Sequence, residues 1–533
     1  MKFDVVIVGS GLGGLQCGYI LSKHGMKVCV LEKNTQPGGC IQSFRRGKNT
    51  FDTGFHYVGG LDKGEPLYRL FSYFGLMDLP WLRMDADAFD EVVIGGKSYM
   101  FANGYERFAE KLSEQFPRQR KNLKKYADFL RDVSDNTFSS FKRKSIGDIY
   151  EASLFAESAY NYLTATFDDP LLRNVLSGTS MKLELNPQTL PLYIFAQINS
   201  TFIQSSWRLR GGGSLIADSL IKSIEANGGT VRMKAEVTRL VEEDGKIVAA
   251  EINGSSKSNF SGSAATSDND ELLFRQDGLN RVSSSSNNDA ERIEADYFIA
   301  NAHPAVALSL ITESKLIRNI YRKRISNMEN TFGFFTANIA LKENAAPYLN
   351  RNVYVCKTDD LWQYADYKPE NINTYVLASS KAPENDSQFT RNIDILTPMY
   401  WQEVEQWEHT TIGRRGKDYL SFKNQKAEAC LNLVSEYVPG LKGVNPKDVI
   451  ENIYTSTSLS YRDYTGTPHG SAYGLRKNYD QLLTTLLSPR TPEPNLFFTG
   501  QNLNLHGVLG VSMTSFFTCA EILGMDVAIE GLL

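Results

Sequence analysis

The stretch that most restricts this chain is a glycine-rich turn set between two short apolar strands near its N-terminus. Asp4 to Val8 (D-V-V-I-V) reads as a buried strand, Gly9-Ser10-Gly11-Leu12-Gly13-Gly14 supplies G-x-G-x-x-G, and Val28 to Leu31 is a second strand ending at Glu32. Gly9 permits the tight turn, Gly11 lets the backbone approach a pyrophosphate, and Gly14 and Gly18 allow close helix–strand packing. The helix N-terminus then offers N–H donors and a positive dipole end to the phosphates. Glu32 stands 21 residues past Gly11, where a carboxylate accepts hydrogen bonds from ribose hydroxyls and repels a 2′-phosphate. The turn therefore predicts the adenosine half of FAD or NAD, not of NADP. A turn used only for packing explains each glycine singly but not their coincidence with Glu32.

The rest of the chain is compatible with a large globular protein. At 533 residues it exceeds one ordinary core and calls for roughly two to four domains. Hydrophobic residues at 42% and charged residues at 22% are those of a water-soluble protein. A net charge of −4 argues against nucleic acid as the main partner, since neutralising phosphates requires a basic face. Cys17, Cys29, Cys40, Cys356, Cys430 and Cys519 contain no C-x-x-C, which predicts free thiols in a reducing compartment. The histidines (His24, His56, His303, His409, His469, His506) show neither H-x-x-x-H nor H-E-x-x-H, so no metal site is expected. The first strand begins by the fourth residue and no run of 18 apolar residues occurs, so a cytoplasmic protein is expected. The apolar stretch from Val508 to Leu533 is interrupted by Glu521 and Asp526 and reads as the closing helix of a nucleotide domain.

Strands and helices alternate through about residue 75, as a parallel sheet requires. From Tyr105 to Ser200 the pattern becomes helical; Leu123, Tyr126, Leu130 and Val133 form one stripe, with Arg120, Lys121, Lys124 and Lys125 on the other faces. Near 205 the αβ pattern returns, with Arg210-Gly211-Gly212-Gly213, a helix over Ser214 to Ala226, and strands at Thr230 to Met233, Val237 to Val241 and Ala295 to Ala300. Between Gly254 and Ala290 the chain is rich in Ser, Asn, Asp and Gly and reads as a low-complexity surface insertion. The architecture expected is α/β: a discontinuous dinucleotide-binding domain of the Rossmann type from 1–75, 205–305 and 448–533, with an inserted α+β substrate domain from 76–204 and 306–447.

The motifs further along carry a resemblance. Gly38-Gly39, Phe51-Asp52-Thr53-Gly54, the central R-G-G-G, and Asn495 to Gly500 followed by His506-Gly507-Val508-Leu509-Gly510 resemble the FAD-dependent phytoene desaturase and carotenoid isomerase superfamily, and within it the bacterial retinol saturase-like branch. The likeness spans the chain apart from the Ser-rich insertion. It implies FAD as the dinucleotide, held by Gly9, Gly11, Gly14, Glu32, Gly38 and Gly39, with Val237 contacting adenine through its backbone and Gly500, Gly507, Val508 and Gly510 closing over the flavin. The dipole of the helix opening at Gly507 would stabilise an anionic reduced ring. Two departures stand out: Cys40 replaces a basic residue after the second glycine pair, and Gln501-Asn502 replaces an acid after the terminal T-G.

The resemblance implies an oxidoreductase acting on carbon–carbon double bonds of a polyene isoprenoid, a retinoid or carotenoid, in the saturating or desaturating direction. Flavin-dependent cis–trans isomerisation, amine oxidation and non-catalytic prenyl-lipid escort are the alternatives. With one dinucleotide fingerprint, electrons come from NAD(P)H bound transiently or from another carrier. Candidate proton donors are His56, Tyr57, Tyr461, Tyr464, Tyr473 and His506, with His506 and Tyr461 favoured because their segments are expected to border the ring. Phe138, Phe141 and the basic cluster Lys142 to Lys144 are expected to touch an anionic membrane surface peripherally, on the inner face, where an apolar lipid is delivered. Oligomeric state is not encoded in these motifs.

Overall fold

The computed structural model describes residues 2–142, 149–253, 290–358, 360–365 and 367–532. Most of the Ser-rich stretch, residues 254–289, together with Arg143 and Lys144, lies outside them. Two seven-stranded sheets organise the rest.

The first sheet is built around β1 (Phe3–Val8), which leads into α1 (Leu12–Lys23) and β2 (Val28–Leu31). After a long departure the chain returns through α2 (Ser214–Ala226), β3 (Thr230–Arg232), the pair β4 (Val237–Glu243) and β5 (Lys246–Ile252), and β6 (Glu291–Ala300). It finishes with β7 (Leu496–Phe498) and α3 (Gly507–Leu523). The parallel order is β3-β2-β1-β6-β7, and β5 and β4 extend antiparallel from the first half of β6. Val5, Val6, Ile7 and Val28 to Val30 are wholly buried, as expected of central parallel strands covered on both faces. α1 packs between α2 and α3: a Cβ on Gly18 would come within 2.9 Å of Ile224 on α2.

The second sheet joins Asp90–Ile94 and Lys97–Phe101 to Asn352–Cys356, Tyr375–Ser380, Asn392–Met399, Gly333–Leu341 and Ile450–Ser456. Ile450–Ser456 pairs antiparallel with Gly333–Leu341, so this strand departs from the expected return to the first domain at 448. On one face lie the helices between Tyr105 and Gln204. Their stripe residues Leu123, Tyr126, Leu130 and Val133 are buried to within 1%, and the helix carrying them runs Arg120–Asp135. That core is continuous with Phe332, Phe334, Tyr354 and Leu505.

The structure corrects the expected insertion of Phe138 and Phe141 into a membrane surface. Phe138 and Phe141 are 7% and 2% exposed. Phe141 packs on Phe516 and Phe517 of α3 at ring distances of 5.8 and 4.9 Å, and the Arg69 guanidinium lies over Phe138 at 5.0 Å. Their apolar spacing suits a helix end that clamps onto α3, and buried rings cannot insert into lipid. Among the described residues, no helix is long and apolar enough to cross a membrane. Phe141→Ala should lower stability by about 3–5 kcal/mol, the usual loss for a buried phenylalanine; a chemical denaturation midpoint equal to wild type would show that this clamp carries no load.

Candidate functional site

The site is placed by strand register. Val8 lies opposite both Leu31 and Ala300, and Ala300 opposite Phe498. Gly9, Glu32, Asn301 and Thr499 therefore follow the ends of four parallel strands at one level. The ladder runs on through them: Gly9 N donates to Leu31 O at 2.8 Å, Asn301 N to Val8 O at 2.9 Å and Thr499 N to Ala300 O at 3.1 Å. This is the edge where open αβ sheets bind ligands.

Gly9 adopts φ +98°, closed to most side chains, and a Cβ on Gly14 would fall 2.1 Å from Gly9 O. Gly38 N donates to Ser10 O at 3.1 Å, which brings the second glycine pair onto the first turn; a Cβ on Gly39 would stand 3.3 Å from Gly11 Cα. Asn301, which sequence reasoning missed, reaches into the middle: its amide lies within 2.8 Å of where a Cβ on Gly11, Gly13 or Gly500 would stand. Only its place after a strand could have flagged it. Glu32, buried at 6%, accepts from Ser10 N and Oγ at 3.0 and 2.7 Å on one oxygen, and from Asn34 N and Nδ2 at 2.9 Å each on the other. Ala235 N donates to the main-chain carbonyl of Glu32 at 2.8 Å, so the segment leading into Val237 runs beside the end of β2, with the Val237 side chain in the same core cluster as Val8 and Leu31.

The helix ends test whether a dinucleotide fits. α2 is already capped: Gly213 N donates to Asp52 Oδ1 at 2.8 Å and Ser214 N to Ser43 Oγ at 3.2 Å. Lys381 stands 3.0 Å from Asp52, and a Cβ on Gly212 would strike Ser43 Oγ at 2.5 Å. Thus F-D-T-G and R-G-G-G are stapled to each other. α1 and α3 have no side-chain cap, and their first turns carry no acid. Gly507, at φ +76°, has nothing within 4 Å of a built Cβ. Two uncapped helix heads flanking glycines suit an anionic phosphate at one and a flat ring at the other. Gly510 differs: a Cβ there would meet Leu505 O at 2.4 Å, which is packing of α3 on its own approach. Val508 packs against the same core as α1 and α3.

Beyond the head of α3 lies the helical lobe. His506 Nε2 is 3.0 Å from Lys182 O, and its ring stacks on Tyr473 at 4.6 Å. Facing a carbonyl, Nε2 must carry the proton, and burial lowers the imidazole to about 4, so His506 is neutral near pH 7. Tyr473 donates to Met181 O at 2.6 Å and Tyr461 to Thr53 O at 2.9 Å. Burial raises both phenols. The structure brings Tyr461, Tyr473 and His506 into one neighbourhood, but each spends its proton on a backbone carbonyl. His56 Nδ1 faces Asp394 at 3.3 Å, and Tyr464 meets Asn34 Nδ2 through its own carbonyl.

Tyr57 belongs to a set the sequence did not signal. It donates to Asp90 at 2.9 Å, lies 2.7 Å from the Tyr354 hydroxyl and accepts from Lys182 Nζ at 3.1 Å. Lys182 lies over the Phe202 ring at 4.2 Å and 3.8 Å from Asp90, which is fully buried. Burial lowers the ammonium to about 8 despite the opposing pull of Asp90. Lys182 Nζ has three donors and gives one to Tyr57, so it holds protons not bound elsewhere in this cluster. No group of three or more metal-ligating side chains occurs among the described residues.

Comparison with known proteins places these features. Residues 7–74 match the NAD(P)-binding Rossmann-like domain. The chain is 24% identical to human all-trans-retinol 13,14-reductase over 98% of its length and 86% of that protein. It is 28% identical to 4,4'-diapophytoene desaturase (4,4'-diapolycopene-forming) of Methylomonas sp over 45% of this chain and 49% of that one. The fold superposes on that of putrescine oxidase bound to putrescine with a TM-score of 0.60, at 14% identity, over 98% of this chain and 99% of the other.

Glu32→Gln would keep an acceptor oxygen for one pair of donors but set an amide NH2 against the other pair, Ser10 or Asn34. Charge-assisted bonds of this kind contribute about 1.5–3 kcal/mol each, so the melting temperature of the flavin-free protein should fall by several degrees. An unchanged melt would mean that the Ser10 and Asn34 bonds are replaceable by solvent.

Proposed function

We propose that this homologue of the all-trans-retinol 13,14-reductases and phytoene desaturases is an FAD-dependent oxidoreductase acting on carbon–carbon double bonds of a polyene isoprenoid. Gly9, Gly11, Gly14, Gly38 and Gly39 would hold the diphosphate, Glu32 the ribose, the segment around Val237 the adenine, and Gly500, Gly507 and Val508 the flavin end. A bound flavin supplies or accepts hydride; everything else is the work of this chain.

One observation carries the substrate class: the residues packed next to the head of α3 are aromatic and apolar, with Phe332, Phe334, Tyr473 and Leu505 continuous with the helical core, and we infer that they would form the wall against which a substrate lies. A substrate ammonium would need an acid, but the buried acids on that side already have cations, Asp90 with Lys182 and Glu184 with Arg476. This favours a polyene over an amine. A polyene aligned along that wall excludes water, and saturation then requires a proton at the carbon next to the one receiving hydride. Lys182 is the residue we assign to hold it, positioned by Tyr57 and Asp90 and fixed at its backbone by His506. NAD(P)H is proposed as the transient electron donor.

Three measurements test the reading. Purified wild type should carry non-covalent FAD, and Gly11→Val, whose Cβ would stand 2.7 Å from the Asn301 amide and crowd the turn proposed to hold the phosphates, should carry none while remaining folded. Lys182→Met should retain flavin and lose about 10²–10⁴-fold in the rate of polyene saturation, the span of a general acid. Saturation by wild type should also fall as pH rises through about 8, where Lys182 deprotonates, and Lys182→Met should lack this limb. Turnover of putrescine in place of a retinoid or carotenoid would replace the polyene reading with amine oxidation.

A further inference from the structure

Lys477 is a buried cation with no anionic partner among the described residues. It is 8% exposed, and its ammonium donates one hydrogen bond, 2.6 Å to Asn502 O. The charges around it are spent or neutral. Arg476, next in the chain, turns to Glu184 and Glu329, which accounts for both acids. Gln501 and Asn502 are uncharged, and Asn502 Oδ1 is taken by Leu475 N at 3.1 Å. The two imidazoles facing it, His303 and His506, are both lowered to about 4, first by burial and in addition by the Lys477 charge. His303 caps a helix through Ala305 N and bonds Asn330 through its other nitrogen. Burial pushes Lys477 itself down to about 7, and no carboxylate opposes the shift.

Its position gives the missing charge a source. His303 lies two residues beyond Asn301, which fills the glycine cradle, while His506 heads α3. The ammonium bonds Asn502 O, two residues beyond Gly500 and four before His506, and so stands at the loop that joins β7 to α3. An unpaired buried charge is strongly unfavourable. We propose that Lys477 is the counter-cation of the bound dinucleotide, unmatched in the flavin-free protein and matched by the negative charge the cofactor brings. This rests on the FAD reading above. That charge resides either on the diphosphate, in both redox states, or on the pyrimidine side of the ring after reduction.

The test is Lys477→Met beside Lys477→Arg, with FAD affinity, midpoint potential and thermal stability of the flavin-free protein as readouts. Matching to the diphosphate predicts at least tenfold weaker FAD binding in the Met variant; matching to the reduced ring predicts unchanged affinity for oxidised FAD and a more negative potential. Lys477→Arg should restore most of either effect. Flavin-free Lys477→Met should melt higher than flavin-free wild type, the opposite sign from a residue that serves only structure. Wild-type stability should also rise with pH from about 7 towards the unfolded lysine value of about 10.4, because the unfolded chain binds the extra proton there. An FAD affinity within twofold of wild type together with an unshifted midpoint potential in the Met variant would overturn the proposal and leave Lys477 as a donor to Asn502. A wild type that takes up no flavin would instead overturn the FAD reading.

Discussion

Everything at this site depends on four parallel strands ending at one level. If β1, β2, β6 and β7 were out of register by one residue, Gly9, Glu32, Asn301 and Thr499 would not share a plane, and a slip of one also turns each strand's side chains to the other face. The register is held by full burial of both faces of the central strands, since no polar alternative exists for Val5 to Ile7 or Val28 to Val30. The hydrophobic core therefore fixes the polar geometry above it.

A second constraint is the seam between the lobes. The segment from Gly178 to Glu184 receives Tyr375, Tyr473 and His506 at its carbonyls, and Glu184 accepts Phe332 N at 3.0 Å. These bonds come from distant parts of the chain and converge where α3 begins. They make the histidine and tyrosines there supports of the backbone that carries Lys182.

Much of the first lobe was legible in the sequence because local rules agree there: the strand, the glycine turn, the helix over Ser214 to Ala226 and Glu32 each follow from spacing within about 30 residues of chain. The helical stripe at Leu123 to Val133 was legible for the same reason. Phe138 and Phe141 were misread because an apolar pair beside basic residues looks alike whether it faces lipid or α3; only the position of Phe516 and Phe517, far along the chain, decides. Lys182, Asp90, Asn301 and Lys477 left no signal because their meaning lies in burial and in partners from remote segments. A lone lysine has no pattern, and whether its charge is met is a property of the assembled interior.

β6 also has a consequence for how the molecule is made. It is the central partner of β1, yet almost 300 residues separate them, and β7, which borders it, is not synthesised until residues 496–498. A chain emerging from the ribosome therefore displays β1, α1 and β2 long before their neighbours exist, with the inner edge of β1 unpaired throughout. Contacts this distant in sequence make assembly slow and leave intermediates prone to association. The pocket proposed for the cofactor cannot form piecemeal: α3, one of its walls, follows β1 by about 500 residues, so loading has to wait until that distant segment has been made and has packed on α1.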